Sequence, residues 1–156
     1  MTIYEAEDIA NWFINYFDQE SGDVITHLKV QKLLYYAEAW TQLLLDRELF
    51  KEDMEAWAHG PVVRSVYNAF RGNSWDPLQA TREAISIDSE VENVLLQVVE
   101  SYGEASAKTL ERMTHNDEPW IAARGDAAPE ERCNTVISKA HIKQYFVGKY
   151  GSALNG

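Results

Sequence analysis

The sequence predicts a mainly α fold: a compact single-domain bundle of about six or seven helices, with room for one minimal pair of short strands. Three observations predict it. Apolar residues recur at helical spacing along most of the 156 residues. Capping residues and glycines punctuate those stretches at their ends. The composition is that of an ordinary globular domain, 46% hydrophobic and 25% charged with 8 Gly and 4 Pro, and no repeat or low-complexity tract interrupts it.

Thr2 and Glu5 make a capping box, after which Ile3, Ala6, Ile9, Ala10, Phe13 and Phe17 keep helical spacing up to Asp18. Gln19 to Asp23 is a polar turn around Gly22. Thr26 caps a long second helix with Val30, Leu33, Leu34, Ala37 and Leu44 as its inward stripe. Its first turn exposes Lys29 and Lys32. Asp46 to Asp53 is a charged loop, and Met54 to Ala58 a brief strand. Pro61 suits the first position of a third helix through Val62, Val66 and Phe70, ended by Gly72. Asn73 to Glu83 is a loop, and the alternation at Ile85 and Ile87 marks them as the strand partner of the Met54 segment. Ser89 and Glu92 cap a helix that runs through Val91, Val94, Leu95, Val98, Val99 and Tyr102 to Gly103. Ser106 caps the next, and Pro119 opens a short helix carrying Trp120, Ile121 and Arg124. Gly125 to Arg132 is a loop. The last helix starts at Ser138, buries Ile142, Tyr145 and Phe146, and frays after Tyr150.

Charge narrows the function classes. Twenty-five acidic residues face 14 basic ones, a formal net charge of −11. The excess is spread along the chain, and residues 1–28 contain no Lys or Arg. Such a surface repels nucleic-acid phosphates and anionic membranes. No secretory signal or membrane-length apolar run is present, so a soluble cytoplasmic protein is expected. The single cysteine, Cys133, excludes intramolecular disulfides and cysteine-rich zinc sites. Glu130 and Glu131 beside it are expected to raise its pKa and oppose a reactive thiolate. His27, His59, His115 and His141 lack metal-ligand spacing, though folding could join His59, His115 and a carboxylate; ordinary capping or packing is the alternative. Neither a phosphate-binding Gly-rich loop nor a Gly-x-Ser-x-Gly elbow occurs. No cofactor, metal or catalytic residue is expected.

Two segments invite a binding role. In Glu55 to Val63, Gly60 permits a sharp turn, Pro61 follows it, and Trp57 and His59 are held beside it. Arg64, Tyr67 and Asn68 project from the next helical turns. Such a rigid display of Trp, His, Arg and Tyr suits protein recognition, while Trp57 and Tyr67 could equally staple the turn to the core. The second segment, Thr114 to Arg124, places Asp117 to cap the helix that Pro119 opens, Trp120 toward the core, and Arg124 to clamp Asp117 or a partner's carboxylate. His115 joins the candidates from this segment.

These segments follow Leu28-Lys29-Val30-Gln31-Lys32-Leu33-Leu34-Tyr35-Tyr36, and together they resemble the Panacea-domain (SocA-like or GepA-like) antitoxins, a phage-associated family. The matching residues are Leu28 to Tyr36, Glu55 to Val62, Val66-Tyr67, His115, Pro119-Trp120 with Arg124, and Ile142 to Phe146. Their order is kept from about Tyr4 to Phe146, and Val30 stands where the family has Leu. The resemblance implies a helical antitoxin domain over 1–150 with a frayed tail at 151–156. It also implies neutralisation of a toxin encoded beside it, by direct binding or as an adaptor to a ClpXP-type protease; an enzyme reversing the toxin's modification with His59, His115 and Asp117 is a third reading. A basic toxin suits the acidic surface.

Overall fold

The computed structural model describes residues 3–17, 25–72 and 77–155. The capping role of Thr2, the turn around Gly22 and the Asn73 end of the following loop lie outside the described residues.

Seven helices and three short strands follow in the order α1 (Ala6–Tyr16), α2 (His27–Leu45), β1 (Met54–Trp57), β2 (Gly60–Val62), α3 (Arg64–Ala69), α4 (Ser89–Tyr102), α5 (Ala107–His115), α6 (Glu118–Arg124), β3 (Val136–Ile137) and α7 (Lys139–Asn155), counted among the described residues. The mainly α reading therefore holds. The axis of the fold is α2, against which α1, α4, α5, α7 and β2 all pack. Every residue from Val30 to Ala39 is buried, so this helix has no solvent face. Aromatic contacts seal it: Tyr36 stacks on Tyr102 of α4 at 4.1 Å, and Tyr35 meets the Phe146 ring of α7 edge-on at 6.0 Å.

Because α2 is enclosed, its polar residues serve as pegs for neighbouring loops. The Glu38 carboxylate accepts hydrogen bonds from the Leu49 and Phe50 amides at 3.0 and 3.2 Å. It is also 3.4 Å from the Lys139 ammonium, which keeps its buried charge paired. The expected exposure of Lys29 and Lys32 does not hold. Lys32 is only 1% exposed, and Lys29 donates to the Gly103 carbonyl.

The strand expectations hold for Met54–Trp57 but not for its partner. β1 pairs with β2 in a tight hairpin, Trp57 opposite Gly60, and on its other side with β3, giving the order β2-β1-β3. Ile85 and Ile87 lie in irregular chain, Ile85 43% exposed. Pro61, expected at a helix start, is a buried strand residue on the edge strand β2, where a missing N–H leaves no central ladder bond unmade. The helix after it begins at Arg64. Gly60 adopts φ +117°, and a Cβ there would lie 3.0 Å from Thr114 Oγ1 and 3.1 Å from Lys32 Cε.

Helix ends differ in detail. The residue that caps α4 is Asp88, which accepts from the Val91 amide at 3.0 Å, instead of Ser89. Ser106 caps α5 as expected, through the Thr109 amide. The last helix continues past Tyr150 to Asn155. Among the described residues no helix is long and apolar enough to cross a membrane.

Candidate partner-binding site

The two sequence segments meet in space, with the second beneath the first. Trp120 of α6 donates its indole N–H to the Trp57 carbonyl at 2.9 Å. Arg124, 6% exposed, donates to the Ala56 carbonyl at 2.9 Å and to the Ala128 and Glu131 carbonyls at 2.6 and 2.8 Å. Its guanidinium thus ties β1 to the loop after α6 and makes no bond to Asp117. His115 lies flat on Trp120, ring centroids 4.2 Å apart. Burial holds the His115 imidazole below its ordinary pKa, against the pull of Glu111.

Asp117 sits at the N-cap position of α6 but makes no capping bond. Its carboxylate turns inward and accepts from the Tyr35 and Tyr145 hydroxyls at 2.9 and 3.1 Å. Burial raises its pKa, only partly offset by the two tyrosine hydrogen bonds and by Lys149.

Above this framework the hairpin carries an exposed cluster. The Arg64 Nε and Nη2 donate to both oxygens of Glu55 at 3.0 and 2.7 Å, and the Trp57 indole donates to the same carboxylate at 2.9 Å. Arg64 also lies over the Trp57 ring at 5.6 Å, and the Tyr67 ring meets Trp57 edge-on at 4.9 Å. Glu55 is held below the usual carboxylate range chiefly by the Arg64 hydrogen bond. At the turn, the His59 side chain is 76% exposed and pairs with Glu111 of α5 at 2.7 Å. Asn68 is exposed on α3, whereas Gly60 and Pro61 are buried.

A cleft of about 800 Å³ opens beside the cluster, between α2, the hairpin and the loop before β3. Lys32 lies in its floor, Trp57 and Tyr67 form one wall, and Arg132 and Cys133 form another. Burial lowers the Lys32 ammonium to about 8, with Glu111 pulling the other way. The Cys133 thiol is lowered, not raised as expected: hydrogen bonds with Thr135 outweigh burial and the nearby Glu131. The carboxylate that folding brings beside His59 and His115 is Glu111, while Asp117 is committed to tyrosines. Among the described residues no group of three or more His, Cys, Asp or Glu could hold a metal ion.

Gln31 and Lys32 lie in the Leu28 to Tyr36 run but are not among the candidate site residues read from the sequence, and Glu111 and Arg132 lie in no motif. The signal for the first two is the density of apolar and aromatic residues around them, Leu28, Val30, Leu33, Leu34, Tyr35 and Tyr36: a helix packed on every side buries the polar residues it contains. Glu111 and Arg132 carry no local signal.

The family described as antitoxin SocA-like, Panacea domain, matches residues 30–121. That span contains most of α2, the whole hairpin, and α3 to most of α6. No curated protein and no solved structure matches the chain.

Proposed function

The chain belongs to the SocA-like antitoxin family built on the Panacea domain, and from that premise we propose that it neutralises a toxin encoded beside it by direct, stoichiometric binding. The contact surface is the exposed hairpin cluster of Trp57, His59, Arg64, Tyr67 and Asn68. Gly60, Pro61, His115 and Arg124 support that surface from behind. The observation that carries this reading is the Glu55 clamp, which holds Arg64 and Trp57 in one orientation while Arg64 stays half exposed. Pre-ordered Arg, Trp and Tyr side chains contribute contact area at little entropic cost on association.

The net charge of −11 supplies the long-range part. It steers a cationic toxin toward the surface, and the hairpin cluster selects among those that arrive. Co-expression of the neighbouring gene with the Arg64→Glu and Tyr67→Ala variants tests the proposal. Both variants are expected to fold, by circular dichroism, and to lose protection. Titration of the purified pair is expected to end near equal molarity, and protection is expected to persist in a host lacking the ClpXP-type protease. Full rescue by both variants would remove the hairpin from the interface.

A further inference from the structure

In a chain with 25 acidic residues, two cations facing one cleft are left without an ion pair or hydrogen bond among the described residues: Lys32 in the floor and Arg132 on the rim. Lys32 is the more telling. An ammonium 1% exposed ordinarily has a carboxylate partner, as Lys139 has in Glu38. Among the described residues Lys32 has none within ion-pair distance, and Glu111, which attracts it from farther off, is already hydrogen-bonded to His59. Gly60 leaves room beside it, since a Cβ there would press on the Lys32 stem. The one carboxylate on the cleft wall is Glu130, in the loop that also carries Arg132.

The walls add a second requirement. Trp57 and Tyr67 present aromatic surface to the same space, and His27, buried beneath them, has its ring 5.3 Å from that of Tyr67. A volume of about 800 Å³ exceeds what an inorganic anion or a lone carboxylate side chain occupies and lies within the range of small-molecule sites. A phosphate monoester carries nearly two negative charges, which matches two unpaired cations better than a single carboxylate does.

We propose that this cleft binds a small ring-bearing phosphate of the mononucleotide class, its phosphate oxygens on Lys32 and Arg132 and its ring against Trp57 and Tyr67. The site goes beyond toxin neutralisation and is a property of the chain alone. Because the cleft shares Trp57 and Tyr67 with the partner-binding surface, an occupant competes with or completes that surface.

Calorimetric titration of the purified protein with AMP, GMP, CMP and UMP tests it without any toxin, so its failure leaves the neutralisation reading untouched. At least one nucleotide is expected to bind with a Kd of about 10–100 μM, with the matching nucleoside and inorganic phosphate each weaker by about tenfold or more. Lys32→Met is expected to lower that affinity by about tenfold or more, and Arg132→Gln, on an exposed loop, by roughly threefold to tenfold. Absence of binding by all four nucleotides near 1 mM, or unchanged affinity in both variants, would overturn the site. Equal affinity for inorganic phosphate would overturn the ring-bearing class.

Discussion

Gln31 holds Val63 by both of its backbone groups. The side-chain Oε1 accepts from the Val63 amide at 2.9 Å, and Nε2 donates to the Val63 carbonyl at 3.3 Å. A side-chain amide on the central helix thus mimics a neighbouring strand and fixes the point where β2 turns into α3. The exposed cluster inherits its position from this clamp, because Arg64 is the next residue.

Replacing Gln31 with Met keeps the volume but leaves the buried Val63 amide without a partner, while the Val63 carbonyl keeps the Tyr67 amide at 3.0 Å. Stability is expected to fall by about 2 kcal/mol in urea denaturation. The Val63 amide is expected to lose protection from hydrogen exchange more than amides of α4. Equal loss in both places would mean the clamp does not act locally.

The two arginines of the binding segments separate by experiment. Arg64→Ala removes an exposed, solvent-screened ion pair and is expected to leave stability nearly unchanged while abolishing toxin protection. Arg124→Ala removes the buried donor to the Ala56 and Glu131 carbonyls, leaves the Ala128 carbonyl only the Glu131 amide, and is expected to lower stability by about 3 kcal/mol. Thermal melts of the two variants side by side make the comparison.

Asp117 gives a pH signature. Its folded pKa is raised from 3.8 by burial, so the fold favours the protonated acid. Its contribution is fully present below 3.8 and is lost as pH rises through the raised folded value. Asp117→Asn keeps an acceptor for a tyrosine hydroxyl and carries no charge. Its stability relative to the unaltered chain is expected to rise from pH 3.5 toward pH 7, measured as the difference in urea midpoint.

Lys32 runs the opposite way. Its folded pKa is depressed from 10.5 to about 8, so its contribution is present above 10.5 and lost as pH falls through 8. The groups that bear on it are His27 on its own helix and Glu111 and His115 on α5. Lys32→Met is expected to be the more stable protein at pH 7, by on the order of 3 kcal/mol. That advantage is expected to shrink between pH 8 and 10.5. A destabilised Lys32→Met at pH 7 would show that the ammonium is compensated in the fold.

Helical spacing made the helices legible, since Phe13, Leu95 or Phe146 each stand on a repeating apolar position whose burial the structure bears out. The hairpin was half legible. Met54–Trp57 was readable as a strand, but its partners lie immediately after it and at Val136, and the alternation at Ile85 and Ile87 mimicked the pattern without pairing. Pro61 misled for a related reason: a proline next to a turn suits an edge strand as well as a helix start.

By itself the sequence determined the helical class, the acidic character and the ordered segments around Trp57 and Trp120, because periodicity, charge and motif order are local or additive properties. Only the tertiary structure decided the fate of individual polar side chains. Lys32 and Arg124 went inside, Arg64 and His59 stayed out, and Asp117 turned from its helix to two tyrosines. That sorting depends on which elements enclose α2 and on where carbonyls and hydroxyls point, and neither is encoded in the spacing of residues along one helix.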